Sequence, residues 1–325
     1  MSQKNKKSCK AWIITDGKAG MEVQVLGVAQ ALGADFEVKQ VSPRGLWRLL
    51  APWGPIDPSE RFGRDSSQFA PPWPDIALAT GRLSIPALRA VRKASPETYT
   101  VIIQDPRTGT GSADLIAVPA HDRFRGDNVI QTLTAPHGFS PDRLAKLREK
   151  QPKDIAALPE PRIAVVLGGP NSVYQFREED SARLGAALAS MATFGASFLI
   201  TTSRRTPSHT LNAVLEATHS SRRIVWEGEG KNPYESWLAH ADIFVVTADS
   251  INMTGEACAT GKPVYVFQPD GGSAKFLRFH ESLRRYGATR KLAGSLSQLD
   301  NWSYAPLDSA SQIAAEIKKR WHKID

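Results

Sequence analysis

Short apolar runs rich in β-branched residues alternate with helical stretches along almost the whole chain, and that alternation restricts it to an α/β protein with parallel sheets. Strands are expected at Ala11–Thr15, Glu37–Val41, Asp75–Ala79, Tyr99–Ile103, Leu115–Val118 and Val129–Thr132. The pattern then starts again, with Ile163–Leu167, Phe198–Thr202, Ile224–Trp226, Ile243–Thr247 and Val264–Phe267. Between the two sets, Gln151 to Arg162 carries three prolines and mixed charge and reads as a linker. Each half is therefore expected to be a Rossmann-like, doubly wound parallel sheet, the two facing a cleft in which a ligand lies at the carboxyl ends of the strands. A final helical stretch, Ser309–His322, opens on a serine cap candidate and ends in Lys318, Lys319 and Arg320, cations that suit a helix C-terminus. It is a candidate to return to the first domain.

At 325 residues the chain has room for two domains of about 100–200 residues each. No run approaches the ~18 apolar residues of a membrane span, and the lysine-rich start lacks the apolar core of a signal peptide, so a cytoplasmic location is expected. Cys9 and Cys258 lie far apart and the seven histidines are scattered, so neither a disulfide framework nor a metal site is expected. The formal charge of +8 points to negatively charged partners. Nucleic acid is disfavoured, because the chain carries no zinc finger, RNP-like signature or basic heptad region.

The residues Ala241 to Phe267 read as a buried strand, a polar turn, a helix opening on small and hydroxyl residues, and a second buried strand. Such a helix start aims unpaired N–H groups and a positive dipole end at the turn, where phosphate is the preferred occupant. Ser250, Asn252 and Thr254 are candidates to hold it, and Glu256 to accept hydrogen bonds from ribose hydroxyls. This stretch resembles the C-terminal domain of two-domain nucleotide-sugar glycosyltransferases, especially the lipid-II-forming N-acetylglucosaminyltransferases. There, Ala-Asp, a small-residue turn, Ser/Thr, Glu and Gly-x-Pro follow in order, and the Glu holds the ribose. Glu256, Gly261 and Pro263 fall in step, while Ser250 replaces the turn glycine.

Polar groups also collect at the other strand ends. Asp16-Gly17-Lys18-Ala19-Gly20 follows the first strand; its glycines permit close approach of a ligand, although a tight turn explains them almost as well, and the Walker spacing is absent. Thr80-Gly81-Arg82, Gln104-Asp105-Pro106 and Pro119-Ala120-His121-Asp122 end the next strands, and together they suit an acceptor pocket. His121 or Asp122 is the candidate general base, with Asp16 in reserve, since an acceptor hydroxyl must lose its proton and imidazole titrates near neutrality. For Asp105 the cap of a turn before Pro106 is the favoured reading.

In the second half, Gly168-Gly169 is too short and proline-interrupted for a dinucleotide fingerprint but suits a sugar-nucleotide cradle. Thr202, Ser203, Arg204 and Arg205 place hydroxyl and guanidinium groups at a strand tip, a good diphosphate receptor, and at least one arginine is expected to face the ligand. With no Asp-x-Asp motif, these cations and the helix after Ser250 are expected to neutralise the leaving diphosphate without a metal or cofactor. Asn232-Pro233-Tyr234 reads as a helix start. Arg44–Trp53 interleaves basic, aromatic and aliphatic residues, which suits an anionic membrane surface or, equally, a helix packed on the sheet with its arginines outward.

Taken in order, Asp16-Gly17, Gln104-Asp105-Pro106, His121-Asp122, Gly168-Gly169, Thr201 to Pro207 and Thr247 to Glu256 resemble the bacterial branch of the elongated-mitochondria fission-protein family. That resemblance implies a GT-B-like fold; its plant members are linked to mitochondrial division, its bacterial members to sugar-nucleotide chemistry. The expectation is a metal-independent glycosyltransferase-like protein with an acceptor-side domain at 1–150, a linker at 151–162, a nucleotide-sugar-binding domain at 163–308 and the returning helix at 309–325. A non-catalytic membrane-surface adaptor and a nucleotide-sugar epimerase are the alternatives. Sugar, base, acceptor and oligomeric state are not legible.

Overall fold

A computed structural model describes residues 9–65 and 67–321. The first run of elements is β1 (Lys10–Thr15), α1 (Ala19–Leu32), β2 (Asp35–Gln40), α2 (Gly45–Leu50), β3 (Ile76–Thr80), α3 (Ile85–Ala94), β4 (Tyr99–Ile103), β5 (Leu115–Pro119) and β6 (Val129–Thr132). Then come α4 (Pro141–Arg148), α5 (Lys153–Ala156), β7 (Arg162–Val166), α6 (Glu178–Ala192), β8 (Ser197–Thr201), α7 (Ser208–Ala217) and β9 (Arg223–Trp226). The chain closes with α8 (Tyr234–His240), β10 (Ile243–Thr247), α9 (Ile251–Cys258), β11 (Val264–Phe267), α10 (Ala274–Tyr286), β12 (Thr289–Lys291) and α11 (Ser309–Arg320).

Two compact units result, one holding the described residues up to Ser140 with those from Asp308 onward, the other Pro141–Leu307. The first sheet runs β2-β1-β3-β4-β5-β6, all parallel. Its side chains alternate between two cores, as strand geometry requires. Ile13 joins Val25, Val28 and Leu32 of α1 on one face, while Trp12 and Ile14 join Ile85, Leu88 and Val91 of α3 on the other. Burial on both faces is what makes β3 a continuous apolar run.

Residues after Asp308 complete the first of those cores. Ala310, Ile313, Ala314 and Ile317 of α11 and the following Trp321 are buried with the α1 side chains. Asp308 caps the helix by accepting from the Ser311 amide, and Ser309 shares a buried hydrogen bond of 2.7 Å with Thr134. Full burial of each isoleucine is worth about 1.5–3 kcal/mol. His322, placed in the expected helix, lies outside the described residues.

The second sheet runs β12-β11-β10-β7-β8-β9, again parallel throughout. Renumbered within its unit this is the 3-2-1-4-5-6 order of dinucleotide-binding sheets, with the reversal of strand order between β7 and β10. In the first sheet the reversal falls between β1 and β3. The edge strand β12 had no expected counterpart: Thr-Arg-Lys buries only Thr289, so it carries no apolar pattern. Residues 141–150, counted by sequence with the first domain, fall in the second unit and carry α4, whose Arg148 donates to the Ala239 carbonyl at 2.8 Å. The stretch expected as a linker carries α5.

Candidate functional site

The two strands at the reversal point of the second sheet, β7 and β10, end in Gly168-Gly169 and Asp249-Ser250. A single buried carboxylate organises both turns. Asp249 accepts from the Thr247 hydroxyl at 2.7 Å, the Gly169 amide at 3.1 Å and Arg205 at 3.2 Å. Burial holds its pKa above the ordinary carboxylate range, against the lowering pull of those donors. Thr247 also accepts from the Gly168 amide at 2.8 Å, so strand and turn are tied together. Neither glycine admits a side chain: a Cβ at Gly168 would stand 2.1 Å from Asp249 Oδ1, and one at Gly169 2.1 Å from the Arg205 carbonyl.

The turn after β8 closes on the same knot. Thr206 donates to the Gly168 carbonyl at 2.6 Å and accepts from the Ser203 amide at 2.8 Å, while Arg205 reaches the Pro170 carbonyl at 2.9 Å. The two arginines thus divide. Arg205 is committed to Asp249 and the Gly169-Pro170 carbonyls, whereas Arg204 is exposed and forms no ion pair among the described residues. Thr202 faces the Trp226 carbonyl at 3.5 Å.

Ser250 caps α9, its hydroxyl accepting from the Met253 amide at 3.2 Å, and Thr254 donates back to the Ser250 carbonyl at 2.9 Å. Asn252, in the first turn, is partly exposed. One turn further, Glu256 accepts from the Tyr234 hydroxyl at 2.7 Å. Burial raises the Glu256 pKa, and burial with the facing carboxylate raises that of Tyr234. Tyr234 opens α8, the helix start expected around Asn232 and Pro233; Pro233 takes the cap position, and Asn232 just before it accepts from the Tyr234 amide at 2.9 Å.

In the first unit the sequence candidates gather at the ends of β1, β3, β4 and β5. The Asp16 side chain is 4% exposed and pairs with Lys18 at 2.6 Å. Gly17 and Gly81 take φ of +76° and +79°, and the Cβ position of Gly81 lies 3.8 Å from Asp16 Oδ1, so the two turns nearly touch. Gly20 lies in the first turn of α1. Gln104 holds φ +82°, a conformation costly for a residue with a Cβ, and its amide donates to Gln24 of α1 at 2.9 Å. Its neighbour Asp105 accepts from the Arg107 amide at 2.8 Å, which makes it a turn cap. Arg82 points to the Ala51 carbonyl at 2.7 Å rather than to the Asp16 turn. His121 is buried, with Nε2 3.9 Å from Asp122 Oδ1.

Sequence reasoning passed over Asp249, Thr247, Thr206 and Tyr234 as site residues. The Thr-x-Asp spacing at the end of β10 was the signal for the first two; Thr206 and Tyr234 join only through tertiary contacts. Among the described residues no cluster of three or more histidine, cysteine or acidic side chains is arranged to hold a metal ion, and no helix is long and apolar enough to cross a membrane.

Comparison with solved structures extends the topology. The UDP-GlcNAc 2-epimerase of Methanocaldococcus jannaschii superposes with a TM-score of 0.54 at 11% identity, over 95% of this chain and 99% of that one. The Arabidopsis thaliana protein UGT89C1, solved complexed with UDP, gives 0.52 at 13% identity, over 95% and 90%. The fold is therefore the α/β, GT-B-like architecture of nucleotide-sugar transferases and epimerases. In sequence, an uncharacterised protein of Rickettsia prowazekii is 27% identical over 347 residues, 94% of this chain and 97% of that protein. The Mitochondrial fission protein ELM1 of Arabidopsis thaliana is 31% identical over 271 residues, 76% of this chain but only 64% of the plant protein. This chain thus spans less than two thirds of the plant relative's length. A family model described as Mitochondrial fission ELM1 matches residues 19–321, which takes in every strand but β1 and every strand end discussed above except the Asp16 turn. The chain belongs to the Mitochondrial fission ELM1 family.

Proposed function

We propose that this protein binds a nucleoside-diphosphate sugar in its second unit and transfers the sugar to an acceptor without a metal. The observation that carries the reading is the knot at the β7–β10 reversal point, where Thr247 and buried Asp249 fix Gly168 and Gly169 beside the capped N-terminus of α9. A turn without side chains next to a helix start suits a diphosphate, with the positive dipole end of the helix in place. Arg204, exposed and with no acidic partner among the described residues, supplies the cation, and Arg205 holds the knot beside it. Glu256, oriented by Tyr234, takes the ribose hydroxyls. His121 or Asp122, with Asp16 in reserve, serves as base for an acceptor held near Gly17, Lys18, Gly20 and Gln104. The M. jannaschii epimerase, whose fold this chain shares with a TM-score of 0.53, was solved in complex with UDP-GlcNAc and UDP.

Calorimetric titration with UDP, GDP, CMP and ADP and then their sugar conjugates, without added metal, tests the proposal. Selective binding is expected, weakened at least about tenfold by Arg204→Ala and by Glu256→Ala in folded protein, the cost of one charge-assisted contact. Absence of binding to any of them would overturn it. Product analysis with donor alone then decides the reaction: a changed sugar released without acceptor identifies an epimerase instead of a transferase.

A further inference from the structure

The helix α2 and the turn after it turn their apolar side outward. Leu46, Leu49, Leu50 and Trp53, at the i, i+3, i+4, i+7 spacing of one helical stripe, are all exposed, Leu49 to 73% and Trp53 to 62%. The other exposed large apolar residues, Val23, Val38, Phe194, Leu277 and Tyr286, lie far apart in sequence. The exposure is built rather than loose. Arg82 donates to the Ala51 carbonyl at 2.7 Å, and Arg89 to the carbonyls of Pro52 and Trp53 at 3.2 and 3.1 Å, which clamps the turn onto α3.

Arginines outnumber carboxylates around this stripe, although Asp57 lies close enough to Arg44 to feel its charge. Arg44 and Arg48 are exposed and form no ion pair among the described residues, and Arg82 and Arg89 add two more cations beside the turn. The carboxylates of the same stretch are spent on the backbone and on one amide. Asp57 accepts from the amides of Arg44 and Ser59, each at 2.9 Å, and Glu60 from the Ser42 amide at 3.1 Å and from Gln68 at 2.9 Å.

We propose that the Leu46–Trp53 stripe with its surrounding arginines is a docking surface for an anionic lipid bilayer. Leucines and a tryptophan suit the boundary between headgroups and acyl chains, and arginines suit the phosphates above it. A second copy of this chain is the poorer occupant, since an isologous contact would set these arginines against their own images. The surface lies in the first unit, and the proposal does not rest on nucleotide binding in the second.

Flotation of the purified protein with vesicles of phosphatidylcholine alone, and of phosphatidylcholine mixed with phosphatidylglycerol, is the test. Binding to the mixed vesicles is expected, with at least about tenfold loss on removing the lipid charge, in a Leu49→Ser/Trp53→Ser variant, and in an Arg44→Gln/Arg48→Gln variant. A Lys146→Gln/Lys150→Gln variant, which removes the same charge elsewhere, is expected to bind like wild type. Circular dichroism establishes that each variant is folded. The proposal is overturned if wild type stays unbound, if the lysine variant loses as much as the arginine variant, or if sedimentation velocity shows a dimer that Leu49→Ser/Trp53→Ser abolishes while vesicle binding persists.

Discussion

Adjacent arginines, Arg204 and Arg205, illustrate how little a residue type says without its contacts. Arg205 neutralises a buried carboxylate, so Arg205→Ala leaves Asp249 without its cation. Removing one partner of a buried pair costs roughly 3–5 kcal/mol; because the Arg205 side chain is 47% exposed, about 1–2 kcal/mol is expected, read as a lowered urea midpoint. Arg204→Ala is expected to change stability by less than about 0.5 kcal/mol while weakening diphosphate binding. Equal stability losses in the two variants would contradict the division of roles. Gly168→Ala forces a methyl group against Asp249, and a loss of about 1–3 kcal/mol is expected, with nucleotide binding lost alongside it.

The consequences at the level of elements follow from what each one covers. Without α11, the core that α1 shares with the first sheet would lose Ala310, Ile313, Ala314 and Ile317, so Ile313→Ala and Ile317→Ala are each expected to cost about 2–5 kcal/mol by chemical denaturation. Near-neutral values would mean that α11 is not docked in solution. The helix α9 depends on its cap: Ser250→Ala removes the acceptor for the Met253 amide and is expected to cost about 1 kcal/mol, with Ser250→Asp restoring most of it. If that aspartate variant keeps its stability but loses diphosphate binding, the turn takes an anion, since a second negative charge would occupy the same helix start.

For the molecule as a whole, two carboxylates make stability depend on pH in an unusual direction. Burial holds both Asp249 and Glu256 above the ordinary carboxylate range, so the folded state binds more protons than the unfolded one between the two sets of pKa values. The contribution of these two groups to stability is therefore expected to fall as pH rises from about 4, the unfolded value, through the raised folded values, while buried His280, whose pKa is lowered, contributes in the opposite sense as pH rises toward its ordinary value. Glu256→Gln should flatten that slope in urea midpoints taken across the window, and an unchanged slope would remove Glu256 from the account. Parallel sheets covered on both faces leave continuous apolar runs, which is why eleven of the strands were legible as segments. The polar edge strand β12 was not, because Arg290 and Lys291 are exposed and only a neighbour on one side defines it. Polar residues at strand ends were legible for the same reason: a strand that must stop has to turn, and turns announce themselves by glycine, proline and hydroxyls. Sequence by itself thus determined the two doubly wound sheets and the loops that carry polar chemistry, through local periodicity. Tertiary structure alone decided that Asp249 is the centre of the second-unit knot, that Tyr234 faces Glu256 and that Arg205 rather than Arg204 is committed. Those pairings join residues from 22 to 80 positions apart, and no local pattern encodes which side chain meets which once the strands are ordered.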